Sequence, residues 1–119
     1  MSEFSKNIWY YNIFNNRYFV LGICLVHRDF DAKYHRHIEP ERYVFMLGKG
    51  ALYLCDDLKE KSTKQEKKIC GAFHIEDIKG NVWHYMKPIT RYVLLFYYFS
   101  KGPFDTIEYI HEPKENKAE

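Results

Sequence analysis

Tyr34-His35-Arg36-His37-Ile38-Glu39-Pro40-Glu41-Arg42-Tyr43-Val44-Phe45-Met46-Leu47-Gly48 is the stretch on which the reading of this chain turns. In an extended strand, residues two apart point to the same face. His35 and His37 therefore aim both imidazoles at one point. Pro40 lacks the N–H that a β ladder needs, so Ile38-Glu39-Pro40 reads as a break between strands. Glu41 then opens the next strand and points back at the same spot. Two histidines and one carboxylate, with positions left open, make a set of ligands for a divalent metal such as Fe(II). The pattern predicts a metal site inside a small β barrel.

The rest of the chain sets the frame around that stretch. Its 119 residues fit one domain spanning 1–119, with 46 % hydrophobic residues for a real core. Aromatic residues at 18 % favour strands. The net charge of +2 is mild, and Lys and Arg are scattered, so no footprint for nucleic acid is present. No run reaches the length of a membrane span. Met1–Lys6 lacks the basic-then-apolar order of a secretory signal. Cys24, Cys55 and Cys70 form an odd count without C-x-x-C spacing, which favours buried thiols in a reducing cytoplasm.

Working outward, residues 1–16 form an arm in which Ile8–Phe14 reads as a short edge strand or a segment laid over the barrel. Arg17–His27 is a strand apolar on both faces, as in a sandwich core or a dimer interface. Ala32–Ile38 carries the two histidines. Glu41–Leu47 follows, and Gly48-Lys49-Gly50 reads as a tight hairpin turn that pairs Ala51–Cys55 back against it. Asp56–Lys68 is almost wholly polar and reads as a solvated loop, with Cys55 and Cys70 facing each other across its flanking strands. Ile69–Ile78 reads as one strand, Lys79-Gly80-Asn81 as a turn, Val82–Met86 as a strand stopped by Pro88, and Arg91–Ser100 as the most apolar strand. A short segment at Thr106–Ile110 precedes a charged, frayed tail at 112–119. No segment sustains a 3.6 period. The fold class is all-β, a single-domain antiparallel jelly roll.

The spacing His35, His37, Glu41, Gly48 resembles the first motif of the cupin superfamily, although Asp29 stands where that motif opens with glycine. The family's second motif ends in a fourth ligand, and Ile78-Lys79-Gly80-Asn81-Val82-Trp83-His84 aligns with it through His84. Asn81 then occupies a glycine position, and Asn is the side chain that best tolerates a left-handed backbone. The resemblance implies a cupin β barrel whose metal ligands are His35, His37, Glu41 and His84, with Fe, Mn, Ni or Zn as the divalent ion. Tyr43, Phe45, Tyr53, His74 and Trp83 are the expected lining of a pocket for a small molecule.

Residues 17–115 are similar to the small WbuC-type cupin-fold metalloproteins. The likeness rests on Tyr34-His35-Arg36-His37, Leu47-Gly48-Lys49-Gly50, Asp56-Asp57, Val82-Trp83-His84 and Lys101-Gly102-Pro103-Phe104-Asp105. It implies a role in bacterial surface polysaccharide (O-antigen) metabolism on a sugar or sugar nucleotide. Trp83-His84-Tyr85-Met86 and Glu108-Tyr109-Ile110 also echo the nucleotide-sugar 3,4-ketoisomerase cupins, in which His35 and His37 would be acid and base without metal. A third possibility is a non-enzymatic cupin that binds a small ligand. The apolar strands 17–27 and 91–99 exceed what a small monomer exposes, and a homodimer through sheet faces or an exchanged N-terminal strand is expected.

Overall fold

The computed structural model describes residues 2–55, 65–101 and 108–110, with side chains described for 6–55 and 65–101. These residues form no helix. They make eleven strands: β1 (Ser2–Ser5), β2 (Ile8–Asn15), β3 (Val20–His27), β4 (Tyr34–Arg36), β5 (Glu41–Leu47), β6 (Gly50–Cys55), β7 (Glu66–Cys70), β8 (Ile75–Ile78), β9 (Trp83–Pro88), β10 (Tyr92–Phe99) and β11 (Glu108–Ile110). A six-stranded sheet has the order β1-β2-β3-β10-β5-β8, and a five-stranded sheet has the order β11-β4-β9-β6-β7. Every pairing is antiparallel. The chain is therefore the antiparallel all-β jelly roll that its strand pattern predicts.

The alternation of side chains explains how the two sheets close on each other. In β3 the residues Val20, Gly22, Cys24 and Val26 are buried, while Leu21, Ile23, Leu25 and His27 between them are half-exposed. In β10 the buried set is Val93, Leu95, Tyr97 and Phe99. Their inward faces meet Phe45 from β5, Leu52 from β6, Cys70 from β7 and Met86 from β9 in one core. Phe45, Leu52, Val20 and Val93 are fully enclosed. Each such side chain contributes about 1.5–3 kcal/mol by leaving water, which holds the sheets face to face.

Several expectations are corrected by this topology. β5 and β6 are not a hairpin pair. β5 pairs with β10 and β8 in one sheet, and β6 pairs with β9 and β7 in the other. The Gly48 turn is a corner that carries the chain across the sandwich. Gly48 has φ +86°, its missing side chain would strike the Tyr92 carbonyl, and the adjoining Lys49 amide donates to Thr90 Oγ1 at 2.9 Å. Ile69–Ile78 is likewise two strands in different sheets, because the turn at Gly71–His74 breaks the ladder; Phe73 there has φ +67°. Cys55 and Cys70 do not oppose each other, since the β6–β7 register pairs Gly50 with Cys70 and Leu54 with Glu66. All three cysteines are free thiols. The histidine strand is shorter than expected, and His37 lies just beyond it. β2 is an interior strand between β1 and β3. Residues 56–64 of the polar loop, 102–107 and the tail 111–119 lie outside the described residues. Among the described residues, no helix is long and apolar enough to cross a membrane.

Gly22 has a specific packing role. It is paired with Tyr97 on one side and Asn12 on the other. The Tyr97 ring lies over Gly22, and its hydroxyl donates to Asn12 Oδ1. A methyl at position 22 would stand inside that ring. Gly22→Ala is expected to lower unfolding free energy by about 1–3 kcal/mol, the usual cost of overpacking. Denaturant melts would read this. The same substitution in a Tyr97→Ala background should cost far less, and an undiminished cost there would rule out the ring contact as the cause.

Candidate metal centre

Three strands and one turn bring the sequence-predicted ligands together. His35 on β4 is paired directly with His84 on β9. Glu41 opens β5 and is paired with Phe99 and Ile78. His37 sits in the link between β4 and β5. The turn preceding β9 is docked on that link: the Asn81 amide donates to the His37 carbonyl at 2.7 Å, and Gly80 packs against the Ile38 carbonyl so closely that no Cβ fits. Asn81 has φ +66°, the left-handed backbone anticipated for it. The two sequence motifs are thus tied to each other by backbone contacts as well as through their side chains.

One nitrogen or oxygen from each of His35, His37, Glu41 and His84 lies within 4.8 Å of all the others. His84 Nε2 is 3.1 Å from Glu41 Oε1, and His37 Nε2 is 3.5 Å from the same oxygen. The rings of His35 and His84 are 4.3 Å apart between centroids. His84, His37 and Glu41 are buried, and His35 is mostly buried, the ligand nearest solvent. The Phe99 ring meets His37 edge-on at 5.0 Å.

Two of the three imidazoles are anchored through Nδ1. His84 Nδ1 is 2.9 Å from the Val82 carbonyl, and His35 Nδ1 is 3.2 Å from the Lys33 carbonyl. A carbonyl oxygen only accepts, so each Nδ1 carries a proton and donates it. Nε2 is then the nitrogen left to ligate, which is the usual anchoring of metal-bound histidine. Burial, with help from nearby His84, lowers the His35 pKa to about 3 against the weaker opposing pull of Glu41, so this ring is neutral at ordinary pH. For Glu41, burial pushes the pKa up, but the nearby His37 and His84 rings outweigh it and bring the carboxyl down to about 2; a bound ion would take the place of any proton between His84 Nε2 and Glu41. A neutral ring and an ionised carboxylate are the protonation states that ligation requires.

Donor atoms bound about 2.1 Å from a shared ion stand roughly 3.0 Å apart at a right angle and roughly 3.4 Å apart at a tetrahedral angle. The separations of 3.1 and 3.5 Å about Glu41 fall at those values. The donor set of three imidazoles and one carboxylate suits Fe(II), Mn, Ni or Zn. The residues therefore fit a divalent metal.

The expected pocket residues divide. Tyr43 and Phe45 face the barrel interior, and the Tyr43 ring lies 6.1 Å from that of His84. Tyr53 and Trp83 do not face the ligands. They lie on the opposite face of the five-stranded sheet with Tyr34, Cys55 and Tyr85, because strand neighbours alternate and His84 takes the inner position. Arg36 covers the Trp83 ring at 4.6 Å. His74 faces inward but joins a second group, Cys70 and Glu76. Sequence reading missed that group; the only signal for it was the inward period-two placement of residues 74 and 76. Cys24, expected as a buried thiol, is buried, and its thiol is pushed up to about 12 by burial and by the Glu41 charge.

No family model matches the chain, and no curated protein is similar to it by sequence. Solved structures are similar in fold. KdgF from Halomonas sp. superposes with a TM-score of 0.69 at 11 % identity over 85 % of this chain and 86 % of that one. An RmlC-like cupin with a double-stranded β-helix fold from Methanocaldococcus jannaschii gives 0.67 at 15 % identity, over 87 % and 88 %. Oxalate decarboxylase from Bacillus subtilis, described with Mn(II) centres, gives 0.64 at 14 % identity over 87 % of this chain and 27 % of that longer one. The chain has the cupin fold, and its four candidate ligands converge inside the barrel that defines it.

Proposed function

We propose that this chain is a metal-dependent cupin acting on a small oxygen-bearing molecule, a sugar or sugar nucleotide of bacterial surface polysaccharide. The observation that carries the metal half is the convergence of His35, His37, Glu41 and His84 with two of the imidazoles anchored through Nδ1. A divalent ion held there would act as a Lewis acid toward a carbonyl or hydroxyl oxygen. The chain's own contributions are then clear in role. Glu41 supplies negative charge in a dry site, His35 marks the solvent side from which a ligand approaches, and Tyr43 and Phe45 supply apolar wall. The sugar half rests on the resemblance of Tyr34-His35-Arg36-His37 and Val82-Trp83-His84 to the WbuC-type proteins. Metal-free acid–base catalysis by His35 and His37 is the lesser reading, because a proton shuttle does not require Glu41 to lie 3.1 Å from His84 Nε2.

Elemental analysis of protein purified without chelator tests the proposal. Glu41→Gln and His37→Ala are each expected to lose about one equivalent of metal relative to the parent chain. Metal content unchanged in both variants would sink the metal reading. Turnover of a keto-sugar nucleotide by the metal-free chain would favour the isomerase.

A homodimer belongs to the same proposal. The outward face of the six-stranded sheet carries Leu21, Ile23 and Leu25 beside Leu94 and Phe96 in register, with Val44 next to Phe96. Tyr11 and Ile75 extend it and are exposed. A flat apolar sheet face suits a self-complementary two-fold contact. Light scattering at micromolar concentration should give a dimer, and Phe96→Glu should give a folded monomer. A monomeric parent chain would refute this part.

Acid should weaken the metal-free protein. His35 has a folded pKa of about 3 against an ordinary 6.5, and Glu41 about 2 against 4.5. Both folded values are depressed, so the unfolded chain takes up protons first. The stability they contribute is fully present above pH 6.5 and is lost as pH falls, through His35 first and Glu41 below 4.5. The melting temperature in chelator should fall between pH 7 and pH 5, and His35→Gln should flatten that slope.

A further inference from the structure

The edges of the two sheets meet where β7 ends and β8 begins, and no ladder joins them there. Cys70 closes β7 at 0 % exposure, and Glu76 on β8 is buried at 8 %. His74, in the connection between them, has a side chain that is 40 % exposed. One sulfur, one nitrogen and one oxygen from these three residues lie within 4.8 Å of one another. The turn that makes this possible is strained. Phe73 adopts φ +67°, a conformation that a bulky side chain rarely takes, and it is 77 % exposed. Two backbone hydrogen bonds hold it: the Phe73 amide to the Phe45 carbonyl at 2.6 Å, and the Phe45 amide to the His74 carbonyl at 2.8 Å.

We propose that Cys70, His74 and Glu76 form a second metal site, for zinc, which staples the edge of one sheet to the edge of the other. Thiolate, imidazole and carboxylate are the three donor types that zinc takes, and mixed sets leave its fourth position for water. Water reaches the site on the His74 side. Tetrahedral ligation at zinc bond lengths needs donors roughly 3.5 Å apart, so a pair at the full 4.8 Å would close by about 1.3 Å and the His74–Glu76 pair at 2.8 Å would open by about 0.7 Å. In the metal-free chain, two side chains already occupy the carboxylate. His74 Nε2 lies 2.8 Å from Glu76 Oε1, and Lys68 Nζ donates to Oε2 at 2.6 Å. Zinc would take the place of the proton between His74 Nε2 and Glu76, that proton moving to His74 Nδ1 or to solvent so that the ring ligates as a neutral imidazole, while Lys68 keeps the other oxygen. Binding also releases the Cys70 thiol proton to solvent as the Zn–S bond forms. Burial, and then the Glu76 charge, raise that thiol to about 11 despite the opposing effect of Lys68, so the ion itself must drive the ionisation. This site is independent of the first, which has no thiol among its four ligands.

Cobalt(II) is the probe, because a cobalt–thiolate bond gives a near-ultraviolet charge-transfer band that the first site's donors cannot produce. The full chain, stripped with chelator and exchanged into clean buffer, should show the band on Co2+ addition, and Zn2+ should displace it. Cys70→Ser should abolish it. His74→Ala, partly exposed and therefore safe for folding, should weaken Co2+ binding by at least about tenfold. The band should persist in Glu41→Gln and in Cys24→Ser, which separates this site from the first. Added Zn2+ should also raise the melting temperature of Glu41→Gln but not of Glu41→Gln/His74→Ala. No band in the parent chain, or a band lost with Cys24 and kept with Cys70→Ser, would overturn the proposal.

Discussion

An ionised carboxylate buried in the barrel sets the terms for the rest of this molecule. Glu41 is enclosed by both sheets, where an isolated charge costs many kcal/mol. It is tolerated because His37 and His84 stand against one of its oxygens. Those rings must in turn be held. The Val82 carbonyl fixes His84, the Asn81 amide and Gly80 lock the following turn to the backbone of His37 and Ile38, and the β4–β9 pairing sets His35 opposite His84. Removing any one support leaves a buried charge with fewer partners. The centre and the closure of the barrel at this end therefore depend on the same contacts.

How much of this the sequence carried depends on the range of the interaction involved. His35, His37 and Glu41 were legible because strand periodicity and a proline break are local, and a few residues suffice to aim them. Asn81 was legible for the same reason: one residue's tolerance of φ +66° governs the turn. Which sheet a strand joins is not local. Glu41–Leu47 and Gly50–Cys55 look like a hairpin around Gly48, yet each finds its partners many residues away, because burying two apolar faces against each other outweighs pairing the neighbours edge to edge. Tyr53 and Trp83 were misread for a related reason. An aromatic strand residue suits either face, and only the inward position of His84 decides that Trp83 points out. Ile69–Ile78 hid a sheet change because Phe73 does not announce a left-handed turn as glycine would.

The cupin likeness adds a frame and no chemistry of its own. At 10–15 % identity the shared feature is the double-stranded barrel, and barrels of this kind carry many reactions. What distinguishes this chain is its own inward-facing set. Six of the inward positions on β5 and β8 and their connection form one ladder: Glu41 against Ile78, Tyr43 against Glu76, and Phe45 against the His74 backbone.

The two candidate centres draw on separate residues. Glu41 and Glu76 stand one two-residue step apart on neighbouring strands, so their backbones are offset by about 7 Å along the ladder as well as across it. Ile78 and Tyr43 fill the crossing positions, both buried. Two-metal catalytic centres need ions about 3.5–4 Å apart, with bridging ligands between them. No residue belongs to both groups here. Each carboxylate is instead compensated on its own side, Glu41 by His37 and His84, and Glu76 by His74 and Lys68. The group at Glu41 lies inside the barrel, while the group at Glu76 lies at the seam between the sheet edges.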